Sequence, residues 1–131
     1  MTDKELVELA VKARKNSYSP YSGYRVGAAL LCADGEVFLG ANVENASYSL
    51  TNCAERTALF AAVAAGKREF EAIAIVGGGG EEISDFCAPC GACRQALAEF
   101  SKGGSLRVIL SNGSGKRNFT LADLLPEAFA L

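Results

Sequence analysis

The sequence predicts an α/β protein in which a mixed five-stranded sheet lies between helices on both faces, a three-layer α/β/α fold. Segments with strand character alternate with amphipathic segments, which indicates a parallel component in the sheet. The pair Asp34-Gly35 between two strand segments predicts a tight hairpin, which adds an antiparallel component. The 131 residues contain no linker, repeat or low-complexity segment, so we expect a single domain over residues 1–131.

Local signals place the first three elements. Thr2 and Glu5 stand at capping-box spacing before apolar residues at helical intervals, which predicts a helix from residue 3 to about 16. β-branched, aromatic and small residues then predict strands over 24–32 and 36–43, one on each side of the hairpin turn.

The remaining elements follow from helical spacing behind capping residues and from short apolar runs bounded by turn residues. Thr51 or Asn52 can cap the second helix, and Gly66 is expected to stop it. In order, we expect a helix over 53–65, a strand over 71–76, a helix over 89–100, strands over 106–111 and 116–119, and a helical turn over 120–125.

The composition excludes several kinds of chemistry. No histidine is present, which rules out a Ser-His-Asp triad, a His-paired cysteine nucleophile, an imidazole zinc site and a proximal-His haem. A formal charge of −2, from 13 Lys and Arg against 15 Asp and Glu, argues against a nucleic-acid partner. No signal peptide and no apolar stretch long enough to span a bilayer are visible, so we expect a cytoplasmic protein without membrane association.

Cysteines at two predicted helix starts suggest a metal site. Cys53 stands at one start, and Cys90 and Cys93 stand at the other, three residues apart and therefore on one face of the first turn. A helix N-terminus lowers the pKa of a thiol and stabilises the thiolate that binds metal. Three thiolates favour zinc and leave the fourth position for water, so we expect one Zn²⁺ per chain.

The residues around these cysteines match a known pattern. Cys53-Ala54-Glu55 followed by Pro89-Cys90-Gly91-Ala92-Cys93 fits the zinc-deaminase pattern His/Cys-x-Glu with Pro-Cys-x-x-Cys. Over nearly its whole length the chain resembles the cytidine deaminases, in their small homotetrameric form with three cysteine ligands, and the resemblance implies a cytidine deaminase-like fold. Further matching segments are 24–30, 42–48, 52–58 and Leu124-Leu125-Pro126 with Phe129.

The resemblance implies an activity and a role for each matching residue. The activity is the zinc-dependent hydrolytic deamination of cytidine and 2′-deoxycytidine to uridine and 2′-deoxyuridine, a step of pyrimidine salvage. The family often has Phe where this chain has Tyr24, and the added hydroxyl is expected to change substrate affinity little. The resemblance implies that Cys53, Cys90 and Cys93 bind zinc and that Glu55 transfers protons. It implies that Tyr24 flanks the base, that Asn42 and Glu44 contact the ribose 3′-hydroxyl, and that Ala54 makes a further substrate contact. It also implies a homotetramer in which Ala46, Tyr48 and Phe129 contribute to the sites of neighbouring subunits.

General chemistry supports these roles. Zinc lowers the pKa of a bound water to about 7. Cytosine C4 is a weak electrophile until N3 is protonated, and Glu55 could carry a proton to N3 and then to the departing ammonia. Three thiolates on Zn²⁺ leave a net charge of −1, so we expect Arg56 to donate to the sulfurs and to draw charge from them. Spacing alone does not direct Glu55 toward the zinc, because two residues along a helix rotate by roughly 200°.

Three other interpretations remain open at this point. Cys87 extends the pattern to Cys87-x₂-Cys90-x₂-Cys93, which with Cys53 would form a closed four-thiolate site in a non-catalytic, zinc-stabilised interaction module. A deaminase of single-stranded nucleic acid would need a cationic channel with stacking aromatic residues, which this composition does not favour. A deaminase of a cytosine-containing antibiotic shares Pro-Cys-x-x-Cys, although Glu44-Asn45-Ala46 favours an ordinary ribose. Cys32, at a strand end, is expected to be a core residue.

Overall fold

A computed structural model describes all 131 residues and contains one mixed sheet of five strands. Their order across the sheet is β2-β1-β3-β4-β5, and only β3 and β4 run parallel to each other. The fold class expected from the sequence is confirmed. The strands are β1 (Arg25–Cys32), β2 (Val37–Ala41), β3 (Phe70–Gly78), β4 (Arg107–Ser111) and β5 (Lys116–Thr120).

Helices cover the two faces of the sheet unequally. Helix α1 packs on one face, where Leu6 and Ala10 join an apolar cluster with residues of β1, β3 and β4. Helices α2, α3 and α4 cover the opposite face, which holds the larger apolar cluster. The helices are α1 (Asp3–Arg14), α2 (Ala54–Ala64), α3 (Gly91–Ala98) and α4 (Leu121–Leu124), and short 3₁₀ turns occur at Tyr48–Leu50 and Lys102–Gly104.

Two glycines in the hairpin let helices approach its two faces closely. A Cβ atom on Gly27 would collide with the backbone of α1 at Ala10 and Arg14. A Cβ atom on Gly40 would collide with the backbone of α2 at Ala54 and Ala58. The second contact matters for the site described below, because it fixes the start of α2 against the sheet.

The element bounds differ from the sequence prediction at several ends. Cys53 itself occupies the N-cap of α2, because the Thr51 hydroxyl accepts from Asn45 N and the Asn52 amide donates to Thr57. Helix α1 ends at Arg14 and α3 at Ala98, about two residues earlier than expected. Two predictions are confirmed: Thr2 caps α1 by accepting from Glu5 N, and Gly66 follows α2 with a positive φ of 92°.

A buried arginine organises the loop that leaves β3. Arg14 donates to the carbonyl oxygens of Arg25, Gly78, Gly80 and Glu81. These bonds tie the end of α1 to the glycine-rich turn after β3, from which the chain continues to the cysteines at the start of α3. None of the helices has the length and hydrophobicity that crossing a bilayer requires.

Candidate metal centre and active site

Three thiols from two helix starts converge in what we call the cysteine cluster: Cys53, Cys90 and Cys93. Cys53 is the N-cap residue of α2 and Cys90 is the N-cap residue of α3, both in extended backbone conformations. Their Sγ atoms lie 3.7 Å apart, and all three Sγ atoms lie within 4.8 Å of one another. Neither N-cap side chain makes a capping hydrogen bond, so the positive ends of both helices face the thiols.

The cluster fits a zinc ion. Tetrahedral zinc with Zn–S bonds of about 2.3 Å requires sulfur atoms about 3.8 Å apart, close to the separation of Cys53 and Cys90. Cys87 is not part of the cluster. It packs beside Tyr24 and Gly77, and burial raises the pKa of its thiol to about 11. The arrangement is therefore a three-thiolate site and does not form the closed four-thiolate site of a structural module.

Arg56 brings positive charge to the cysteine cluster, as expected from the sequence. Its Nη2 donates to Cys53 Sγ at 3.3 Å, and its Nε is buried without a hydrogen-bond partner. Hydrogen bonding from Cys93 and then from Arg56 lowers the pKa of Cys53 to about 5, while the shared hydrogen bond with Cys53 raises the pKa of Cys93. The guanidinium of Arg56 thus favours the thiolate form of Cys53, which suits a cluster that would carry net negative charge with metal bound.

Glu55 is the one carboxyl group buried beside the cluster. It is 3% exposed, and burial raises its pKa to about 7. The neighbouring Cys53 also raises this pKa, whereas a hydrogen bond with Cys93 lowers it. Two residues within a helix are separated by a rotation of roughly 200°, which would direct Glu55 away from Cys53. This rotation does not apply to the pair, because Cys53 is the N-cap residue and has an extended backbone. A carboxyl group with a pKa near neutrality can both accept and donate a proton during a reaction at neutral pH.

Tyr24 lies at the edge of the centre, and its hydroxyl has a partner that the sequence does not reveal. The hydroxyl donates to Asp85 Oδ2 at 3.0 Å, and burial is the main reason that the pKa of Tyr24 is raised. A Cβ atom added to Gly77 would lie 3.2 Å from the Tyr24 ring and 3.0 Å from Cys87, so these side chains pack together over the end of β3. The hydrogen bond gives the Tyr-for-Phe departure a structural role.

Asn42 and Glu44 belong to a separate hydrogen-bonded group after the end of β2. Asn42 Oδ1 accepts from Val26 N and from the Ser17 hydroxyl, and Asn42 Nδ2 donates to Tyr24 O, which leaves one amide hydrogen for a ligand. Glu44 accepts from the Ser22 hydroxyl and from the backbone N–H groups of Tyr21 and Ser22, which lowers its pKa. Asn42 is thus held between Ser17 and the backbone of Tyr24 and Val26, and Glu44 is held by Tyr21 and Ser22.

Three of the predicted site residues project into solvent, and we call them the exposed rim: Ala46, Tyr48 and Phe129. Tyr48 is 75% exposed and Phe129 is 70% exposed. Tyr48 packs edge-to-face against Tyr21 at 6.2 Å, and both line an open cleft of about 370 Å³ with Ser22, Glu44 and Thr51. Ala54, in contrast, is fully buried between Cys53 and Glu55.

Comparisons with known proteins agree with this geometry. Residues 1–108 match the family described as the cytidine and deoxycytidylate deaminase zinc-binding region. A cytidine deaminase of Sporosarcina psychrophila is 49% identical over 131 residues, covering 99% of this chain and 93% of that protein. The crystal structure of a cytidine deaminase from Burkholderia pseudomallei superposes with a TM-score of 0.90 at 55% identity, covering 98% of this chain and 100% of that one. A cytidine deaminase structure from Mycobacterium tuberculosis gives 0.84 at 40% identity, with full coverage of both chains.

Proposed function

The chain belongs to the cytidine and deoxycytidylate deaminase family, and from this membership we propose that it hydrolyses cytidine and 2′-deoxycytidine to uridine and 2′-deoxyuridine with release of ammonia. Relatives named cytidine deaminase match along nearly the whole chain. The proposed enzyme is one domain over residues 1–131 that holds one zinc ion.

One observation carries the proposal beyond family membership: a buried carboxyl group stands beside a three-thiolate cluster. A structural zinc site is closed by four protein ligands and needs no acid or base. Here Glu55 is buried beside three thiols, and this burial raises its pKa to about 7, a perturbation typical of carboxyl groups that exchange protons in active sites.

The residues of the chain divide the chemistry between them. Cys53, Cys90 and Cys93 would hold the zinc ion, which when bound supplies a nucleophilic water at neutral pH. Glu55 would receive a proton from the attacking water and deliver it to N3 of cytosine, which makes C4 electrophilic. Glu55 would then take the second proton of the water from the new C4 hydroxyl and pass it to the amino group, so that the C4–N bond breaks, the C4 carbonyl forms and ammonia leaves. Arg56 would draw negative charge from the thiolates through its hydrogen bond to Cys53.

Further residues would bind the nucleoside. Tyr24 would flank the base, Ala54 would contact the substrate between the cluster and Glu55, and Asn42 and Glu44 would bind the ribose 3′-hydroxyl. The free amide hydrogen of Asn42 and the ionised carboxylate of Glu44 are suited to a hydroxyl, which both donates and accepts. Contacts at the 3′ position alone would admit both ribose and deoxyribose.

The homotetramer with shared active sites is part of the proposal. Tyr48 is exposed to solvent together with Tyr21, which it contacts, and the nearby Leu50, and such a group of large exposed side chains is the pattern of a contact surface. Phe129 is a further large apolar side chain exposed to solvent. Ala46, Tyr48 and Phe129 would reach into sites of neighbouring subunits. The five free thiols suit a reducing compartment, so we propose a cytoplasmic enzyme.

The test is release of ammonia and uridine from purified, zinc-loaded protein, with sedimentation measured on the same sample. Cytidine and 2′-deoxycytidine should both react. Free cytosine should react poorly because it lacks the ribose contacts, and a cytosine-containing oligonucleotide should not react. Deamination of the oligonucleotide in preference to the nucleosides would overturn the proposal, and so would a protein that binds zinc but releases no ammonia from either nucleoside.

A further inference from the structure

The C-terminal segment, residues 126–131, presents an aromatic side chain without burying it. The segment follows α4, forms neither helix nor strand, and is exposed throughout. Phe129 near its end is 70% exposed, so packing within the chain does little to set the direction of its ring. Its position must therefore be fixed through its backbone.

One side chain holds that backbone by both of its polar groups. Gln95 Nε2 donates to Phe129 O at 2.9 Å, and Gln95 Oε1 accepts from Phe129 N at 3.2 Å. Two hydrogen bonds from one planar amide to the N–H and C=O of a single residue restrain its position and its rotation. These are the only hydrogen bonds that residues 126–131 make.

The residue that makes these two hydrogen bonds belongs to the helix that carries two of the cluster's thiols. Gln95 lies in α3, two residues after Cys93, and Cys90 is the N-cap of the same helix. The adjacent Arg94 donates to Pro89 O before this helix and to Leu124 O at the end of α4, both at 2.7 Å. Helix α3 thus ties the metal centre of its own chain to the placement of Phe129.

From this geometry we infer that Gln95 is a positioning residue, which holds Phe129 so that its ring closes the base site of a second copy of the chain. The inference rests on the proposed shared active site. It also implies that the effect of Gln95 is felt in a neighbouring subunit's active site, while the zinc and Glu55 of its own subunit are unaffected.

The first test compares kinetic constants of variants at Gln95. Gln95→Ala removes both hydrogen bonds, and Gln95→Glu keeps an acceptor for Phe129 N but places an oxygen against Phe129 O. We expect KM for cytidine to rise roughly three- to tenfold in Gln95→Ala, the equivalent of one aromatic contact, with zinc content and kcat near those of the parent. The KM of Gln95→Glu should lie between those of the parent and Gln95→Ala. Glu99→Gln is the matched control and should leave KM unchanged, because Glu99 is exposed just after α3 and its side chain makes no hydrogen bond.

The second test asks whether Gln95 acts through Phe129. Phe129→Ala should raise KM by at least as much as Gln95→Ala, and the double variant should be no worse than Phe129→Ala alone. Additive effects would mean that Gln95 acts elsewhere, and would overturn the inference.

The third test places the effect in the neighbouring subunit. With an excess of co-expressed Glu55→Gln subunits that keep Gln95, most working sites lie beside an intact subunit and receive a correctly held Phe129. The KM of the Gln95→Ala sites should then return toward the parental value. Mixed tetramers in which every working site keeps the raised KM would overturn the inference. So would tetrameric Gln95→Ala with parental KM, and both results leave the proposed deamination standing. A fully active monomer would instead overturn the shared active site itself.

Discussion

The metal centre and the exposed rim differ in how much of their surroundings one chain supplies. At the centre, two helix starts bring three thiols together, Arg56 donates to Cys53, and Glu55 is buried beside them. At the rim, Tyr48 and Phe129 stand mostly in solvent, held by an aromatic neighbour in one case and by a side-chain amide in the other. The metal centre is thus assembled from one chain, whereas the exposed rim is where we propose that neighbouring chains complete the enclosure of the substrate.

Removing a thiol from the cysteine cluster should have the largest effect. Cys53→Ser, Cys90→Ser and Cys93→Ser should each lose zinc and with it all measurable deamination, because a hydroxyl is a much poorer ligand for zinc than a thiolate. Metal analysis of the purified variants checks this. Cys87→Ser is the matched control and should keep its zinc, since Cys87 lies outside the cluster. Loss of zinc in Cys87→Ser would mean that Cys87 is a fourth ligand, and would contradict the three-thiolate catalytic centre.

Arg56→Gln should weaken the centre without dismantling it. The variant loses the cation beside Cys53, so we expect about 10- to 100-fold faster loss of zinc to a chelator or a comparable drop in kcat, with the fold retained. Arg68→Gln provides the control, because Arg68 is exposed and donates only to the backbone oxygens of Val63 and Lys67. Zinc retention and turnover equal to the parent would show that Arg56 has no part in the centre.

Tyr48→Ala tests the rim side of the comparison. The substitution removes an exposed ring, so zinc content and thermal stability should change little. If the ring closes a neighbouring site, KM for cytidine should rise by about tenfold, in the range of a lost aromatic contact, while kcat changes less. Tyr18→Ala is a suitable control, since Tyr18 is also an exposed tyrosine but has no predicted role in the site. A loss confined to kcat, with KM unchanged, would place Tyr48 in the chemistry and erase the distinction between the two regions.

Tyr24→Phe should have the smallest effect. It removes the hydrogen bond to Asp85 but keeps the ring, and Asp85 is exposed enough to be rehydrated. We expect KM to change by less than about threefold, because an exposed hydrogen bond contributes only about 0.5 kcal/mol net. Asp85→Asn should have a similarly small effect. A large loss in Tyr24→Phe would mean that the hydroxyl contacts the substrate directly.

The sequence predicted the strands better than their ends. The Asp34-Gly35 turn and the β-branched runs located the hairpin correctly, because those signals are local. Strand β3 extends two residues beyond the predicted end at Val76, since Gly77 and Gly78 pair with Val26 and Arg25 and this tertiary pairing outweighs the low strand propensity of glycine.

The convergence of the three thiols and the bond from Arg56 to a sulfur could also be predicted from the sequence, because thiols at helix starts and the balance of charge around them follow general rules. The direction of Glu55 was not, since it depends on Cys53 standing outside the helix. Asp85 and Gln95 were missed because their partners, Tyr24 and Phe129, lie 61 and 34 residues away and no local pattern marks such bonds. The roles of Ala46, Tyr48 and Phe129 at a neighbouring subunit stay predictions, because they involve contacts outside this chain.

The most direct test of the account is a paired measurement of zinc and ammonia on Glu55→Gln. The amide is nearly the same size as the carboxyl group but cannot carry a proton, so the variant should keep one zinc per chain and the parental fold. Its release of ammonia from cytidine should fall by at least about 10²- to 10⁴-fold, the usual cost of losing a positioned acid–base group. A zinc-loaded Glu55→Gln protein that deaminates cytidine at near the parental rate would contradict the account.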